Sequence, residues 1–449
     1  MRKTAFLGFG EVNTPIDIII RKCQKAEADL KAKGLDLVSV YPITDDYEEK
    51  DIAKALDALA GQEFDSIVVC IAGWIPTHAV VKVCEQYRHK PMVLWGLCGW
   101  VEADGRLVTT ADQAGTSGLR KTFADLGYTF KFVYDIVGLP SKVDTVVDYC
   151  IAAQAAARLR SAKVGMAGYR DMNLYGTLAD GPSLKRTVGV EIETFEMLEM
   201  QQRYEKLTQE EKQAVVDAEM SKWHFLKEAK PEGKLMAAGY YLAVKQLIDE
   251  RGYEAISLKD VDGMKKLCGF PPAPILMLLS DAAKVSTIPE NDCLGNVTQL
   301  MVKYLTGQCG AYLEFYEFFT DRVLAGVPDY VPAEIIDGET TVMPAAFGEL
   351  NEGILNVSKV KTGNLTMCRL FLENGKYYMH MVTGEGVSPR KWEEAGWTQP
   401  APQLPGLEIK LQDVEAFTQN VMCQHYIISY GDNTARIKNL CAILGIEII

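Results

Sequence analysis

Thr4-Ala5-Phe6-Leu7-Gly8-Phe9-Gly10 is an apolar run that stops at a glycine-bearing loop, and an amphipathic stretch reaching Lys33 separates it from the next apolar run, Asp36 to Tyr41. The alternation continues with a helical pattern near Glu48 to Ala60, apolar Ser66 to Ile71, and further runs at Met92 to Trp95 and Phe130 to Val133. Strand and helix in turn predict a parallel sheet covered on both faces. Such sheets receive ligands at the loops beyond the carboxyl ends of their strands. Here those loops carry Gly8-Phe9-Gly10, Ala72-Gly73-Trp74 and Trp95-Gly96-Leu97-Cys98-Gly99-Trp100.

A helix from Val143 to Leu159 leads into a second cycle that begins at Lys163-Val164-Gly165-Met166-Ala167-Gly168-Tyr169-Arg170. It continues through a strand at Val188 to Thr194, a helical tract from about Thr208 to Arg251 and a strand at Glu254 to Leu258. Leu294 to Leu305 has helical spacing, and Ala311 to Phe315 reads as a strand after the Gly307 stop. Beyond Pro332 the pattern turns to short alternating pieces: Val357 to Val360, Leu365 to Phe371, Tyr377 to Val382 and the Pro-rich Thr398 to Pro405. A last helix, Asn433 to Leu444, leads into Ile446 to Ile449. The fold class expected is therefore α/β, with two doubly wound α/β domains (1–160 and 161–335) followed by a mainly β C-terminal domain (336–449). A chain of 449 residues has the length for that division.

Composition narrows the function. With 48% hydrophobic and 24% charged residues the chain is an ordinary globular protein. A net charge of −13 disfavours nucleic acid and anionic membrane as partners. No run approaches the roughly 18 apolar residues of a membrane span, and Glu11 follows Met1-Arg2-Lys3 too soon for a signal peptide. The 11 cysteines are odd in number and show no CxxC pairing, as expected of a reducing, cytoplasmic setting.

Motifs for chemistry are few. Gly8-Phe9-Gly10 opens like a dinucleotide loop, but Asn13 stands where the third glycine would be, so a nucleotide-dependent oxidoreductase rests on a lone GxG. The five histidines (His78, His89, His224, His380 and His425) form no HxH or HxxxH pair. A metal site must then assemble carboxylates and one imidazole from distant segments, an oxygen-rich set that suits Mn²⁺ better than zinc. Glu290 precedes a largely apolar helix, and period-two alternation puts Glu314 on one face with Tyr312 and Tyr316. The plain alternative has Glu290 capping the helix and Glu314 facing solvent. His425 lies in an apolar strand that ends in Gly431-Asp432 and a helix, where it can serve as a ligand while Asp432 caps.

Glu290-Asn291-Asp292-Cys293-Leu294, Leu305-Thr306-Gly307, Glu314 in the strand beyond, and His425 near the C-terminus resemble the metal-binding blocks of the L-fucose isomerase and L-arabinose isomerase superfamily. Ala72-Gly73-Trp74 is similar to that family's tryptophan-bearing loop, and Gly165 to Gly176 to the entry of its second domain. Lys361-Thr362-Gly363-Asn364-Leu365-Thr366 and Gly384-Glu385-Gly386 resemble pieces of the third. The resemblance implies a metal-dependent aldose–ketose isomerase acting on a hexose, deoxyhexose or pentose through a cis-enediol. Glu290, Glu314 and His425 would hold Mn²⁺ or another divalent cation, and the two Glu would move the protons; Trp74 either stacks on the apolar face of the sugar, in its own or a neighbouring subunit's site, or merely packs its loop. It also implies a homo-oligomer, a hexamer in the family. Lys259-Asp260 departs from the neutral residues the family places after the last strand of the second domain. Lys259 could bind an anionic 6-substituent, as on sulfoquinovose, or simply pair with Asp260 or Asp262. The rival from another class is a non-catalytic sugar-binding or regulatory protein with the same architecture.

Overall fold

The opening apolar run forms β1 (Thr4–Phe9), buried along its whole length; the computed structural model describes residues 3–327, 329–345, 353–392 and 405–449. The chain divides into two units, Met1–Ala157 and Arg158–Ile449. In the first, β1 is followed by α1 (Ile16–Ala32), β2 (Leu37–Ile43), α2 (Lys50–Leu59), β3 (Ser66–Ile71), α3 (Thr77–Cys84) and β4 (Met92–Gly96). A short ribbon, β5 (Trp100–Val101) with β6 (Leu107–Val108), precedes α4 (Asp112–Asp125), β7 (Phe130–Tyr134) and α5 (Val143–Leu159). The sheet runs β2-β1-β3-β4-β7 with every pair parallel. Its central strands are buried on both faces, which is why β1, β3 and β4 read as unbroken apolar runs. The GxG pair has a packing role. A Cβ on Gly8 would lie 2.4 Å from the Cys23 sulfur and one on Gly10 2.6 Å from Ile19, so both glycines let α1 close on the sheet.

The second unit begins with β8 (Lys163–Ala167), α6 (Gly181–Thr187), β9 (Glu191–Phe195), α7 (Met197–Lys206) and α8 (Gln209–Ala218). It continues through β10 (His224–Phe225), α9 (Pro231–Arg251), β11 (Ala255–Leu258), α10 (Ala273–Asp281), β12 (Ser286–Ile288) and α11 (Cys293–Thr306). Here the parallel order is β9-β8-β11-β12. The chain therefore leaves β8 toward one edge and returns to β11 on the other side, which makes the crevice between β8 and β11 the switch point of the sheet. The single helical tract expected from Thr208 to Arg251 is two helices with β10 between them. The break is non-local: His224 and Phe225 pair with Thr341 and Val342, and Pro231 opens α9 at a position that needs no N–H partner.

The rest is β13 (Ala311–Phe318), β14 (Arg322–Gly326), β15 (Thr341–Ala345), β16 (Gly353–Asn356), β17 (Gly363–Glu373), β18 (Lys376–Val387) and β19 (Gly406–Lys410). α12 (Val414–Gln419), β20 (His425–Tyr430), α13 (Thr434–Leu444) and β21 (Glu447–Ile448) complete it. β15 and β16 pair with each other and with β10 in a small sheet. The strand expected at Val357 to Val360 lies earlier, at β16, because Ser358 turns its hydroxyl onto the Thr341 N–H instead of continuing the ladder. Of the Pro-rich stretch Thr398 to Pro405, all but Pro405 lies outside the described residues.

The other strands run β17-β20-β13-β14-β19-β18, and pairing of β17 with β18 closes them into a barrel to which β21 adds in parallel. Closure removes the free edges an open sheet would expose. β13 and β14, which precede residue 336, belong to this barrel. Leu313, Ala325, Leu365, Met367, Leu407, Ile409 and Ile428 share its core. Helix α11 is buried from Cys293 to Val302; it packs on β11 and β12 and on the outside of β13, β17 and β20. Most of this covered stretch is apolar, as a helix buried all round requires; of its polar residues, Thr298 donates to the Leu294 carbonyl and Gln299 to that of Gly310.

Candidate metal centre

Glu290 and Asn291 sit between β12 and α11 with φ values of 65° and 49°. Asn291 fixes this turn: its side-chain amide donates to the carbonyls of Ala167 (2.8 Å) and Tyr169 (2.7 Å), and its backbone N–H donates to Leu258 (3.1 Å). The turn is thus tied to the ends of both β8 and β11, over the switch point. Glu314 and His425 arrive from the barrel. They are directly opposed on antiparallel β13 and β20, which sets their side chains beside each other on one face.

These segments bring the three carboxylate and imidazole groups together. His425 Nδ1 lies 3.6 Å from Glu290 Oε2, and Nε2 lies 4.0 Å from Glu314 Oε2. The His425 side chain is 3% exposed and that of Glu290 12%. Glu290 Oε2 and His425 Nδ1 are both buried without a hydrogen-bond partner. Two facing acceptors left unpaired in a protein interior are costly, and a bound cation would satisfy both. Burial first, then the carboxylates of Asp260, Asp329, Glu314 and Asp292, push the Glu290 carboxyl well above its usual range. Burial holds the His425 imidazole down at about 3. The ring is therefore neutral near pH 7, with a lone pair to offer, and the carboxylates around it (Glu290, Glu314, Asp292, Asp260 and Asp329) outnumber the cationic Arg369 and Lys265. The donor set fits a divalent ion of hard or borderline character.

Asp292, Cys423 and His425 also have donor atoms within 4.8 Å of one another, but Asp292 has nothing left to give an ion. Its Oδ1 accepts from the Gly295 N–H at 2.9 Å and from Arg369 Nη2 at 2.7 Å. Its Oδ2 accepts from the Tyr312 hydroxyl at 2.8 Å and from Arg369 Nη1. Four bonds exhaust the lone pairs of a carboxylate, and the adjacent guanidinium repels a cation. Asp292, rather than Glu290, is thus the side chain that caps α11. Glu314 is 29% exposed in its side chain and turned toward His425 rather than to open solvent. Tyr312 stacks on His425, with centroids 4.2 Å apart and planes at 15°, so Arg369, Asp292 and Tyr312 form a chain that fixes the plane of the imidazole.

A second charged group stands under Glu290. Between β11 and α10 the backbone makes a π-helical turn, Asp260–Lys265. Bonds from i to i+5 bring residues five apart onto one side, and Lys265 Nζ lies 3.0 Å from Asp260 Oδ2 and 3.6 Å from Asp329 Oδ1. Lys259, at the end of β11, is half-buried and makes no ion pair among the described residues: Asp260 pairs with Lys265 and Asp262 with Lys266. Its charge does reach Asp262, whose carboxyl it helps to lower after the larger effect of Lys266. Trp74 belongs to the first unit, in the loop after β3, with 38% of its surface exposed. That unit has its own cleft of about 600 Å³, lined in part by Arg21, Trp95, Cys98 and Trp100.

Sequence reasoning missed Arg369, Asp292 and Lys265 as parts of this centre. Arg369 had left a signal: a single arginine inside the apolar run Met367-Cys368-Arg369-Leu370-Phe371 demands a buried carboxylate. Nothing local marks Lys265, whose neighbour Lys266 differs only in the side of the π-turn it occupies.

No protein-family model matches the chain, and no curated protein matches it. Among solved structures, a periplasmic solute binding protein of an ABC transporter from Actinobacillus succinogenes 130z, with bound D-allose, is 16% identical over 69% of this chain and 93% of that one, with a TM-score of 0.17. A solute binding protein of an ABC transporter from Burkholderia multivorans is 11% identical over 69% of this chain and 95% of that one, with a TM-score of 0.18. At those scores the likeness carries no argument. Among the described residues no helix is long and apolar enough to cross a membrane.

Proposed function

We propose that this protein is a metal-dependent aldose–ketose isomerase acting on a hexose, deoxyhexose or pentose. The observation that carries the reading is the convergence of Glu290, Glu314 and His425 with two facing acceptor atoms unpaired in the interior. Moving a proton between C2 and C1 while the carbonyl changes place requires a stabilised enediolate and a base beside both carbons. A divalent ion such as Mn²⁺, held by Glu290, Glu314 and His425, would supply Lewis acidity toward the two sugar oxygens. The protein's own share is proton transfer and orientation. The two glutamates are the groups able to take the proton from one carbon and return it to the other, through a cis-enediol. Asp292 and Tyr312 keep the imidazole in one plane, and Asn291 holds the Glu290 turn against the sheet.

Lys259 supports an anionic 6-substituent on the sugar, as in sulfoquinovose, because it makes no ion pair among the described residues at the end of β11. Lys259→Met should lower the preference for charged over neutral sugars; an unchanged preference removes it from recognition. Trp74 stacking on the sugar, a homo-oligomer of up to six chains and a cytoplasmic setting, which the 11 free cysteines favour, complete the reading. The deciding experiment strips the chain with chelator, restores Mn²⁺ and measures ketose formation across neutral 6-deoxy sugars and 6-sulfonated hexoses. Glu290→Gln should reduce turnover by about 10²–10⁴-fold, the usual weight of a positioned acid–base group. Sugar binding without turnover in the Mn²⁺-loaded protein would instead favour the non-catalytic reading.

A further inference from the structure

Asp260 and Asp329 lie beside the proposed centre as a second pair of buried carboxylates, 1% and 7% exposed in their side chains. Two such groups near Glu290 and Glu314 are the raw material of a two-ion site, since dinuclear centres share carboxylates between neighbouring ions. What stands between them is an ammonium. Lys265 Nζ reaches Asp260 Oδ2 at 3.0 Å and Asp329 Oδ1 at 3.6 Å with a side chain only 5% exposed. Asp260 Oδ1 remains buried without a hydrogen-bond partner. The π-turn gives Lys265 this position; in an α-helix, residues 260 and 265 would point well apart.

We propose that Lys265 is a built-in monocation that occupies the place of a second metal ion, so that the centre holds one divalent cation and its charge is set by the lysine. The argument rests on reading Glu290, Glu314 and His425 as metal ligands. An ammonium carries half the charge of a divalent ion and cannot leave, so it offsets one of the two negative charges of Asp260 and Asp329 without competing for the ligands of the first ion. Lys265 acts through those carboxylates and is a positioning residue.

The test is metal stoichiometry on the full chain, read by equilibrium dialysis with Mn²⁺ alone before any assay of turnover. The wild type and Lys265→Arg should each bind one Mn²⁺ per chain. Lys265→Ala, which leaves room for a hydrated ion, should bind two, and the second should be lost on adding Asp329→Asn. Lys265→Met fills the space without the charge; it should bind one Mn²⁺ about tenfold more tightly, because a nearby positive charge is gone. A purely structural lysine would change the melting temperature and leave both count and affinity alone, and that result would overturn the proposal. If the wild type binds one Mn²⁺ that Glu290→Gln abolishes, while Lys265→Ala still binds one, the lysine proposal alone fails. If the wild type binds none, the metal-centre reading fails and the proposal falls with it.

Discussion

Removing Arg369 should cost more than any other single side chain near the centre. It is 1% exposed, gives two of the four hydrogen bonds received by Asp292, and Asp292 itself is fully buried. Arg369→Met leaves that carboxylate without its counter-ion, and losing one side of a buried pair costs about 3–5 kcal/mol. The second unit, Arg158–Ile449, holds about 290 residues; at about 2.1 cal/mol/K of unfolding entropy per residue, the melting temperature should fall by roughly 5–8 °C. Asp292→Asn keeps an oxygen for the Gly295 N–H and removes the stranded charge, so the double variant should recover at least about 2 kcal/mol of the single variant's loss. The pH dependence carries a sign. Burial pushes the Asp292 carboxyl up, but Arg369 outweighs it and holds it below the usual range. In the wild type this pair therefore contributes stability that is lost as pH falls through the lowered value. Without Arg369 the same carboxyl rises, so the variant's deficit should shrink between pH 7 and pH 5. Thermal unfolding of the four proteins of this double-mutant cycle at both pH values measures all of it. A loss below about 1 kcal/mol for Arg369→Met, or no recovery in the double variant, would refute the account.

Metal removal should destabilise the same unit: Mn²⁺ at about 100 times its Kd adds about 2.7 kcal/mol, and scanning calorimetry should show that gain vanish in His425→Asn. Gly295→Ala should destabilise by about 1–3 kcal/mol although alanine favours helices, because its Cβ would sit 2.5 Å from Arg369 Nη1 and 2.6 Å from Asp292 Oδ2; denaturant titration gives the sign directly. His380 is 4% exposed and burial holds it down at about 4. The unfolded chain takes up its proton near pH 6.5 and the folded chain only near pH 4. Stability should thus fall by up to about 3 kcal/mol across that window, and His380→Phe should flatten this part of the profile.

Most of the secondary structure was legible because it follows from local pattern. β3 occupies Ser66–Ile71 and α5 Val143–Leu159, the bounds their apolar spacing predicts. What local pattern could not carry was pairing across the chain. β10 is a strand because Thr341 and Val342 lie beside it, and β13 belongs to the barrel because β20 takes its edge. At the centre, the residue types at 290, 314 and 425 were readable, whereas their approach depends on the register that opposes Glu314 to His425. Arg369 and Lys265 were missed for a related reason. A charged residue says that it needs a partner, and only the fold says which one.

The left-handed backbone at Glu290, with φ at 65°, separates what folding favours from what chemistry requires. A non-glycine residue in that region costs about 1–2 kcal/mol, and a buried carboxylate adds to it. Selection for stability alone would settle on glycine at this position, as it has at Gly307, where φ is 78° and α11 ends. Replacing Glu290 by glycine should therefore yield a more heat-resistant protein and, on the metal-centre proposal, one that no longer binds a divalent cation. A screen for thermostable variants would meet this residue early, and if the proposed function holds, every hit at 290 would be an inactive one.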